Sequence, residues 1–582
     1  MIIIELKRLL ILLYLICNAY GWMWTCKNNT NCVRTKEQTT STYPSIDTCK
    51  LVCGDYRSLW PRPNGHVRLA YDLELVNYSD LEFVLAGSGK AQSYLQKLTE
   101  YFRDLINLNK VKCSDQYKQL RIVLAPVSFD TTLNLETAES YTLKIQTTGN
   151  IVEVNIQGPT VFGVRHGLET FSQLITTFSN GDDNVCLVTL KDGEIKDEPV
   201  YPHRGLLIDT ARNYQTVDTI KRHIDAMAAS KLNVLHWHIT DSQSFPLVSS
   251  RMPNMTKYGA YSNEQVYSQE AVEDLMQYAL IRGVRVVLEL DAPAHIGSGW
   301  QWGPEAGLGN LGVCIFQQPW RSYCIQPPCG QLNPTNPNVY SVLQELYKDF
   351  IELNPTADFF HMGGDELFIP CWNASKEITK SMPGRTEKDF LDLWAYFQKR
   401  ALNNYDIAKG NNKTNVIVWT SHLTNPAYIK KYLPHERYVI QTWVPSDDNL
   451  PKQLLNLGYR LIISTKNKWY LDHGFWGNTN YYNWRSVYNN RILKEKGVLG
   501  GEVCMWGELV DTHNVLTRTW PRAAAAGERL WANPDDTSLQ AENRFFTHRD
   551  RLLFRKINAE AVVPRWCSQN EGECSTYLSY YN

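Results

Sequence analysis

The sequence lacks any marked excess of charge: 59 Lys and Arg face 60 Asp and Glu, for a formal net charge of -1 over 582 residues. That balance excludes a nucleic-acid or anionic-membrane partner held by bulk electrostatics. Beyond the N-terminus no apolar run is long enough to span a bilayer. No glycine-rich phosphate loop, dinucleotide fingerprint or nucleophile elbow stands between a strand and a helix, so the sequence carries no sign of a bound cofactor. What is there is a globular composition, 43% hydrophobic and 20% charged, in a chain long enough for two or more domains.

The N-terminus places Lys7 and Arg8 before the apolar stretch Leu9 to Cys17, and small or turn residues follow. Residues 1–21 therefore read as a secretory signal, with a short membrane anchor as the rival. Fourteen cysteines fit an oxidising compartment, extracellular or lysosomal. Cys26, Cys32, Cys49 and Cys53 crowd one polar segment and suit a nested pair of disulfides, while Cys324 and Cys329 flank the tight turn "IQPP". Zinc is the weaker reading of the first four, because no histidine lies among them. Sequons at Asn28, Asn77, Asn254, Asn373 and Asn412 offer glycan sites.

Residues 22–60 form a cysteine-rich segment that "WPRPNG" closes. Over 61–200 strand patterns such as "QLRIVLAP" and "NIVEVNIQG" mix with helical ones, which predicts a smaller α+β domain. From 201 to 555 the rhythm becomes strand, loop, helix. Its eight apolar runs are "GLLID", "VLHWHIT", "VRVVLEL", "DFFHM", "VIVW", "YVIQTW", "YRLIIS" and "VLGGEVCMW". This α/β pattern predicts a (β/α)8 TIM barrel with its site at the C-terminal ends of the strands. A C-terminal segment, 556–582, follows.

The residues that close those runs are Asp209 with Arg212, Asp241, His295, Asp365 with Glu366, Trp419, Trp443, Tyr470 with Asp472, and Trp506 with Glu508. Carboxylates among tryptophans point to carbohydrate, because sugar C–H faces pack on aromatic rings while hydroxyls need fixed charged partners. His236 and His238 in "HWHIT" could be read as a metal pair; a buried hydrogen-bonded pair is the preferred reading, and no metal is expected. The pair Asp365 and Glu366 in "HMGGDELF" poses a problem. Ordinary glycosidases hold two carboxyls at least about 5 Å apart across the scissile bond, which adjacent residues on an extended chain serve poorly. One solution is for a single acid to protonate the leaving oxygen while the substrate's own 2-acetamido oxygen attacks the anomeric carbon and the second acid orients that amide.

"HMGGDE", together with "GLLIDTARNY", "HWHITDSQSFP", "LDAPAH" and "GGEVCMWGE", resembles the β-N-acetylhexosaminidases of glycoside hydrolase family 20 over about residues 65 to 555. That family is a substrate-assisted exception to the two-carboxylate rule. The segment "QPWRSYCIQPPCGQLNP" and the cysteine-rich extension further resemble its insect chitooligosaccharide-degrading branch. The resemblance implies Glu366 as general acid/base, Asp365 as the residue that orients and stabilises the acetamido group, and Tyr470 as a hydrogen-bond donor to its oxygen. With those roles, the charge of Asp365 is expected to raise the pKa of Glu366, which stays protonated while Asp365 stays ionised. Arg212 and Glu508, with Asp472 nearby, would hold the terminal sugar's hydroxyls; Trp419, Trp443 and Trp506 would wall the pocket; Asp241 and His295 would support the acid. Trp484 in "YYNWRS" is expected to stack on the next sugar, with Trp320 extending that surface. Gln326 stands where the insect branch tends to carry glutamate, so a charge is lost there, with its effect expected on the preference at the plus side of the cleft and none on the catalytic set. The implied activity is exo-acting and retaining, removing terminal non-reducing N-acetylglucosamine, with N-acetylgalactosamine left open, from chitooligosaccharides, without cofactor, in a secreted or lysosomal homodimer with no stable membrane span. The alternatives are a lysosomal or glycan-trimming enzyme acting on glycoconjugates and a catalytically inactive sugar-binding barrel.

Overall fold

The computed structural model describes residues 22–574 apart from 40, 107–116 and 180–184. The expected signal, residues 1–21, and the end of the C-terminal segment lie outside the described residues. Eight parallel strands close into a barrel: β1 (His203–Asp209), β2 (Val234–His238), β3 (Arg285–Glu289), β4 (Phe359–His361), β5 (Asn415–Trp419), β6 (Tyr438–Thr442), β7 (Arg460–Ile463) and β8 (Val498–Met505). Each coincides with one of the eight apolar runs. Strands of a parallel sheet are covered on both faces, so they read as continuous apolar stretches without alternation. β1 pairs with β2 and β8 in parallel, which closes the ring.

Helices cover the outside, several with signals visible in sequence. Thr216 caps Val217–Ala229, and Thr386 and Asp389 form a capping box at the start of Glu387–Lys409, which Gly410 ends in the left-handed region.

The preceding domain holds a six-stranded mixed sheet, ordered Val67–Leu69, Asp192–Asp197, Tyr141–Thr148, Ile151–Gly158, Gln119–Pro126, Glu82–Leu85, with helices Gly89–Leu105 and Val161–Ser172. Buried ion pairs tie it to the barrel: Arg204 at the foot of β1 meets Glu139 at 2.8 Å, and Lys231 meets Asp197 at 2.9 Å. In front of it the cysteine-rich segment forms the nested clasp, Cys26–Cys53 outside Cys32–Cys49. The C-terminal segment returns to this clasp, where Glu571 accepts the Cys32 amide at 2.7 Å. Further disulfides join Cys314 to Cys371, Cys324 to Cys329 and Cys567 to Cys574. No helix among the described residues is long and apolar enough to cross a membrane.

Candidate active site

Asp365 and Glu366 leave the C-terminal end of β4 through a turn that the two glycines make possible. Gly363 and Gly364 both have positive φ, and a Cβ on Gly363 would lie 1.8 Å from Asp291 Oδ1, so only glycine fits there. The Gly364 amide donates to that same oxygen at 2.8 Å. Glu366 itself sits at φ +48, an uncommon conformation for a residue with a side chain, and His295 opposite it at φ +54. The adjacent acids are thus not on extended chain. Both face one imidazole: His295 Nε2 lies 3.3 Å from Glu366 Oε2 and 4.0 Å from Asp365 Oδ2.

Behind His295, Asp241 Oδ1 meets its Nδ1 at 3.3 Å, while Asp241 Oδ2 takes Arg212 at 2.9 Å and His238 at 2.8 Å. Arg212 also grips Asp209 at 3.0 Å and donates to Gln326 Oε1 at 2.9 Å. The Gln326 amide in turn donates to Glu508 Oε1 at 2.9 Å. The Cys324–Cys329 loop therefore supplies a neutral link between Arg212 and Glu508, two residues that the sequence reading kept separate from it.

The three tryptophans expected as walls fall in one cluster at the barrel mouth with Tyr470, Leu207 and Cys504; Trp443 and Trp506 are half-buried, whereas Trp419 is only 1% exposed. Trp419 and Trp506 lie 5.9 Å apart with planes tilted by 45°, and the Arg212 guanidinium stands 5.2 Å from the Trp506 ring centre. Indole hydrogen bonds fix two of these rings: Trp419 Nε1 to Glu289 at 2.8 Å and Trp443 Nε1 to the Thr420 carbonyl at 2.8 Å. Tyr470 is anchored through its neighbour, because the buried Arg522 donates to the Leu471 carbonyl at 2.7 Å.

Two expectations need correction. Trp484 does not reach the cleft. It is the first residue of the helix Trp484–Asn489, 4% exposed, with its ring stacked 4.1 Å from Phe545. The Asn483 side chain accepts the amides of Arg485 and Ser486, and this cap turns Trp484 inward. That loop exposes two rings, Trp476 at 42% and Tyr481 at 45%: the Trp476 Nε1 donates to Asp472 Oδ2 at 2.9 Å, whereas the Tyr481 hydroxyl donates to Glu560 at 2.8 Å. The second correction concerns charge. The sequence reading has Asp365 ionised and Glu366 raised, and the surroundings impose the reverse on the protein alone. Burial, with the charges of Glu366 and Glu289, pushes the Asp365 carboxyl up to about 6 against the pull of His295. For Glu366 burial also acts upward, but the His295 hydrogen bond and charge, aided by Arg212 and Lys466, bring it below the ordinary value.

Several buried polar atoms in this mouth find no hydrogen-bond partner among the described residues: Asp365 Oδ1, Asp472 Oδ1, Glu508 Oε2 and Arg212 Nε. Buried polar groups are normally paired, and leaving one unmade costs about 1–3 kcal/mol. A set of them in one cleft describes the polar outline of something that binds there. The His236 and His238 nitrogens, by contrast, are engaged by Glu289, Glu502 and Asp241, as the reading of a buried hydrogen-bonded pair expects.

The family description "Glycosyl hydrolase family 20, catalytic domain" matches residues 201–534, the barrel, and "beta-acetyl hexosaminidase like" matches 32–174. The chain belongs to glycoside hydrolase family 20. It is 42% identical to the chitooligosaccharidolytic beta-N-acetylglucosaminidase of Ostrinia furnacalis, over 95% of either protein. It is 35% identical to the human beta-hexosaminidase subunit beta, over 75% of this chain and 74% of that one. Among solved structures, the exo beta-N-acetylglucosaminidase of Vibrio harveyi shares the fold with a TM-score of 0.69, at 19% identity, over 87% of this chain and 78% of that one. The protein is thus a glycoside hydrolase of the β-N-acetylhexosaminidase family. Sequence reasoning missed Gln326 as a link and Glu289 as an anchor of Trp419. A signal existed for the second, a carboxylate inside the otherwise apolar run "VRVVLEL".

Proposed function

We propose that this enzyme is an exo-acting, retaining β-N-acetylglucosaminidase that removes the terminal non-reducing sugar from chitooligosaccharides by substrate-assisted catalysis. The observation that carries the reading is the pairing at the end of β4: Asp365, with one buried oxygen that has no partner in the protein, directly beside Glu366. Asp365 Oδ1 would accept the acetamido N–H, and Tyr470 would donate to the acetamido oxygen as that oxygen attacks the anomeric carbon. Glu366 protonates the departing glycosidic oxygen, so C–O cleavage leaves a cyclic oxazoline-type intermediate whose positive charge the Asp365 carboxylate offsets. Glu366 then takes a proton from water, which opens the ring from the face the leaving group vacated. Two inversions give retention.

The proton that Glu366 needs has a neighbouring store. His295, engaged by carboxylates on both ring nitrogens, is held well above the ordinary histidine range: burial opposes the charge, and Asp241, Glu366 and Asp365 outweigh it. Asp365 acts in its ionised form, which the acetamido N–H and the positive charge developing on the acetamide favour once substrate is bound.

Arg212, Glu508 and Asp472 close the far end of the pocket and suit the hydroxyls of a terminal sugar, which makes the action exo. The greater identity and coverage with the chitooligosaccharidolytic relative support linear chitin fragments over branched glycoconjugates. Disulfides support a secreted or lysosomal setting, and the homodimer is carried over from the family resemblance. The test compares chitobiose with its analogue bearing hydroxyl in place of the 2-acetamido group, and a linear chitooligosaccharide with a biantennary glycan. Chitobiose turnover with an inert analogue is expected, as is preference for the linear chain. Hydrolysis of the analogue at a comparable rate, or a covalent sugar ester on any carboxylate, would refute the mechanism.

A further inference from the structure

The groups that support Glu366 are the outer end of a longer series. Starting at His203 on β1, imidazoles and carboxylates alternate through the barrel interior. His203 Nε2 meets Glu502 Oε1 at 2.6 Å, and Glu502 Oε2 meets His236 Nδ1 at 2.9 Å. His236 Nε2 meets Glu289 Oε2 at 2.9 Å, and the same oxygen meets His238 Nδ1 at 2.5 Å. His238 Nε2 reaches Asp241 Oδ2 at 2.8 Å, from which His295 and Glu366 complete the series. β1, β8, β2 and β3 all contribute, so the series crosses the barrel from its foot to its mouth.

Such an arrangement restricts where protons can lie. A neutral imidazole donates one hydrogen bond and accepts one, but ionised carboxylates only accept. His236, His238 and His295 each lie between two carboxylates, so each is an imidazolium unless a carboxyl beside it is protonated. A cation at His238 compensates Asp241, and Asp241 is the partner that holds His295.

We propose that Glu289 is a positioning residue for the general acid: by keeping His238 as an imidazolium it sets how tightly the His295–Glu366 pair retains the proton that goes to the leaving oxygen. The inference rests on the role of Glu366 given above. The transfer is balanced: the N–H bond of His295 breaks as the O–H bond of Glu366 forms, and that O–H bond breaks as the glycosidic oxygen is protonated. Glu289 acts on the pocket as well, since its other oxygen accepts the Trp419 indole at 2.8 Å and faces His361 Nδ1 at 3.2 Å.

Charged and titratable groups surround the series on every side, beginning with Arg285, which acts on His203, and the buried Cys504 thiol of β8, which feels Glu502 and Glu289. Glu289 faces His236 and His238 from β2 and His361 from β4; Glu502 faces His203 and His236 and accepts from Gln441 at 2.7 Å. His238 feels Asp209 in addition to its two carboxylates. The mouth adds Asp291, Asp365, Arg212 and Lys466. Burial works against charge on His236, and Glu502 and Glu289 override it, raising the imidazole to about 9. His238 is likewise held well above its ordinary range, and Glu289 well below.

Two measurements test this. In wild-type protein labelled with 15N-histidine, NMR at pH 8 should find His236 and His238 protonated on both ring nitrogens, where solvated histidine is neutral; a neutral ring at either position overturns the proposal. In Glu289→Gln, His238 loses the carboxylate that holds its charge, Asp241 acts undiminished on His295, and the shared proton is retained more tightly. The alkaline limb of kcat/KM on chitobiose should then move up by roughly one pH unit. A fall in kcat with an unmoved limb would leave Glu289 a structural residue and overturn the proposal. If the variant does not fold, the NMR result on wild type decides alone. That reading needs no turnover, so a wild-type enzyme inert on chitobiose would sink the proposed function separately.

Discussion

The floor and the mouth of the pocket hold the same kind of residue and treat it in opposite ways. On the floor Glu289 and Glu502 are fully buried, yet both oxygens of each carboxylate meet donors from histidine, tryptophan or glutamine. At the mouth Asp365, Asp472 and Glu508 each keep one oxygen that nothing in the described protein reaches. The electrostatics divide along the same line. Burial alone would raise Glu289, Glu502, Asp365 and Asp472, but the surrounding histidines bring Glu502 and Glu289 down, whereas Asp365 rises to about 6 and Asp472 to about 7, in the latter case through burial and the charge of Glu508. Partners, not depth, decide the sign. A buried acid with partners maintains the fold, and one without them marks where substrate supplies the missing contacts.

The largest effects should come from the two acids at the mouth. Glu366→Gln is expected to lose about 10²–10⁴ in kcat on chitobiose, whose leaving group needs a proton, and far less on an activated aryl glycoside. Asp365→Asn should lose about 10²–10³ on both substrates, because closing the cyclic intermediate is impaired whatever leaves. Asp365→Asn should not lower Tm, since it removes an acid with a buried oxygen that has no partner in the protein; Glu366→Gln, which gives up the charged contact with His295 that holds its carboxyl below the ordinary value, should lower it slightly, and Glu289→Gln on the floor should lower it most. Steady-state kinetics on the two substrates and thermal melts check this. A mouth variant as destabilised as the floor variant would erase the distinction.

The next comparison separates two tryptophans of one loop. Trp484→Ala removes a ring packed on Phe545 and should cost about 3–5 kcal/mol of stability, the range for deleting a large core aromatic. Trp476→Ala should leave denaturation unchanged and weaken chitotetraose by about 1–3 kcal/mol, the range for stacking a ring on an exposed aromatic platform, with aryl glycosides little affected. Denaturant titration and KM measurements read the two losses separately. If Trp484→Ala is stable and loses only affinity for long substrates, its inward packing is wrong.

These tryptophans also show what a sequence reveals and what it hides. All eight strands were legible because strands covered on both faces must be apolar throughout, and the residues that end those runs, from Arg212 to Glu508, do converge at the mouth. Which of two aromatic residues faces the cleft was not legible. It depends on Asn483 capping a short helix, and the aromatic richness of "FWGNTNYYNWRS" signals only that rings are near. The direction of charge on Asp365 and Glu366 was hidden for a similar reason. Adjacency in the chain announces repulsion, but the sign of each shift belongs to His295, some seventy positions earlier and placed by a different strand. Glu289 was visible as an oddity, an acid inside an apolar strand, yet its partners come from β2, β4 and β5.

The smallest and most selective effect concerns Gln326, which stands between the two behaviours. Its carbonyl oxygen accepts from Arg212 while its amide donates to Glu508, so one neutral side chain holds a cation and an anion in register. Gln326→Glu keeps the first bond and cannot make the second. Two carboxylates would face each other across the present 2.9 Å contact, a geometry that favours a shared proton and raises the pKa of one of them. Below that pKa the proton restores the link, and KM for chitobiose should stay close to wild type. Above it the acids repel, Glu508 moves off the position suited to a terminal hydroxyl, and KM should rise by about three- to tenfold, the equivalent of about 0.6–1.4 kcal/mol. Arg212 limits the loss, because its charge is then shared by a second acid. The signature is a KM that climbs with pH in the variant alone while kcat follows the wild-type profile. A uniform loss at every pH would mean that Gln326 contributes shape rather than the proton that joins Arg212 to Glu508.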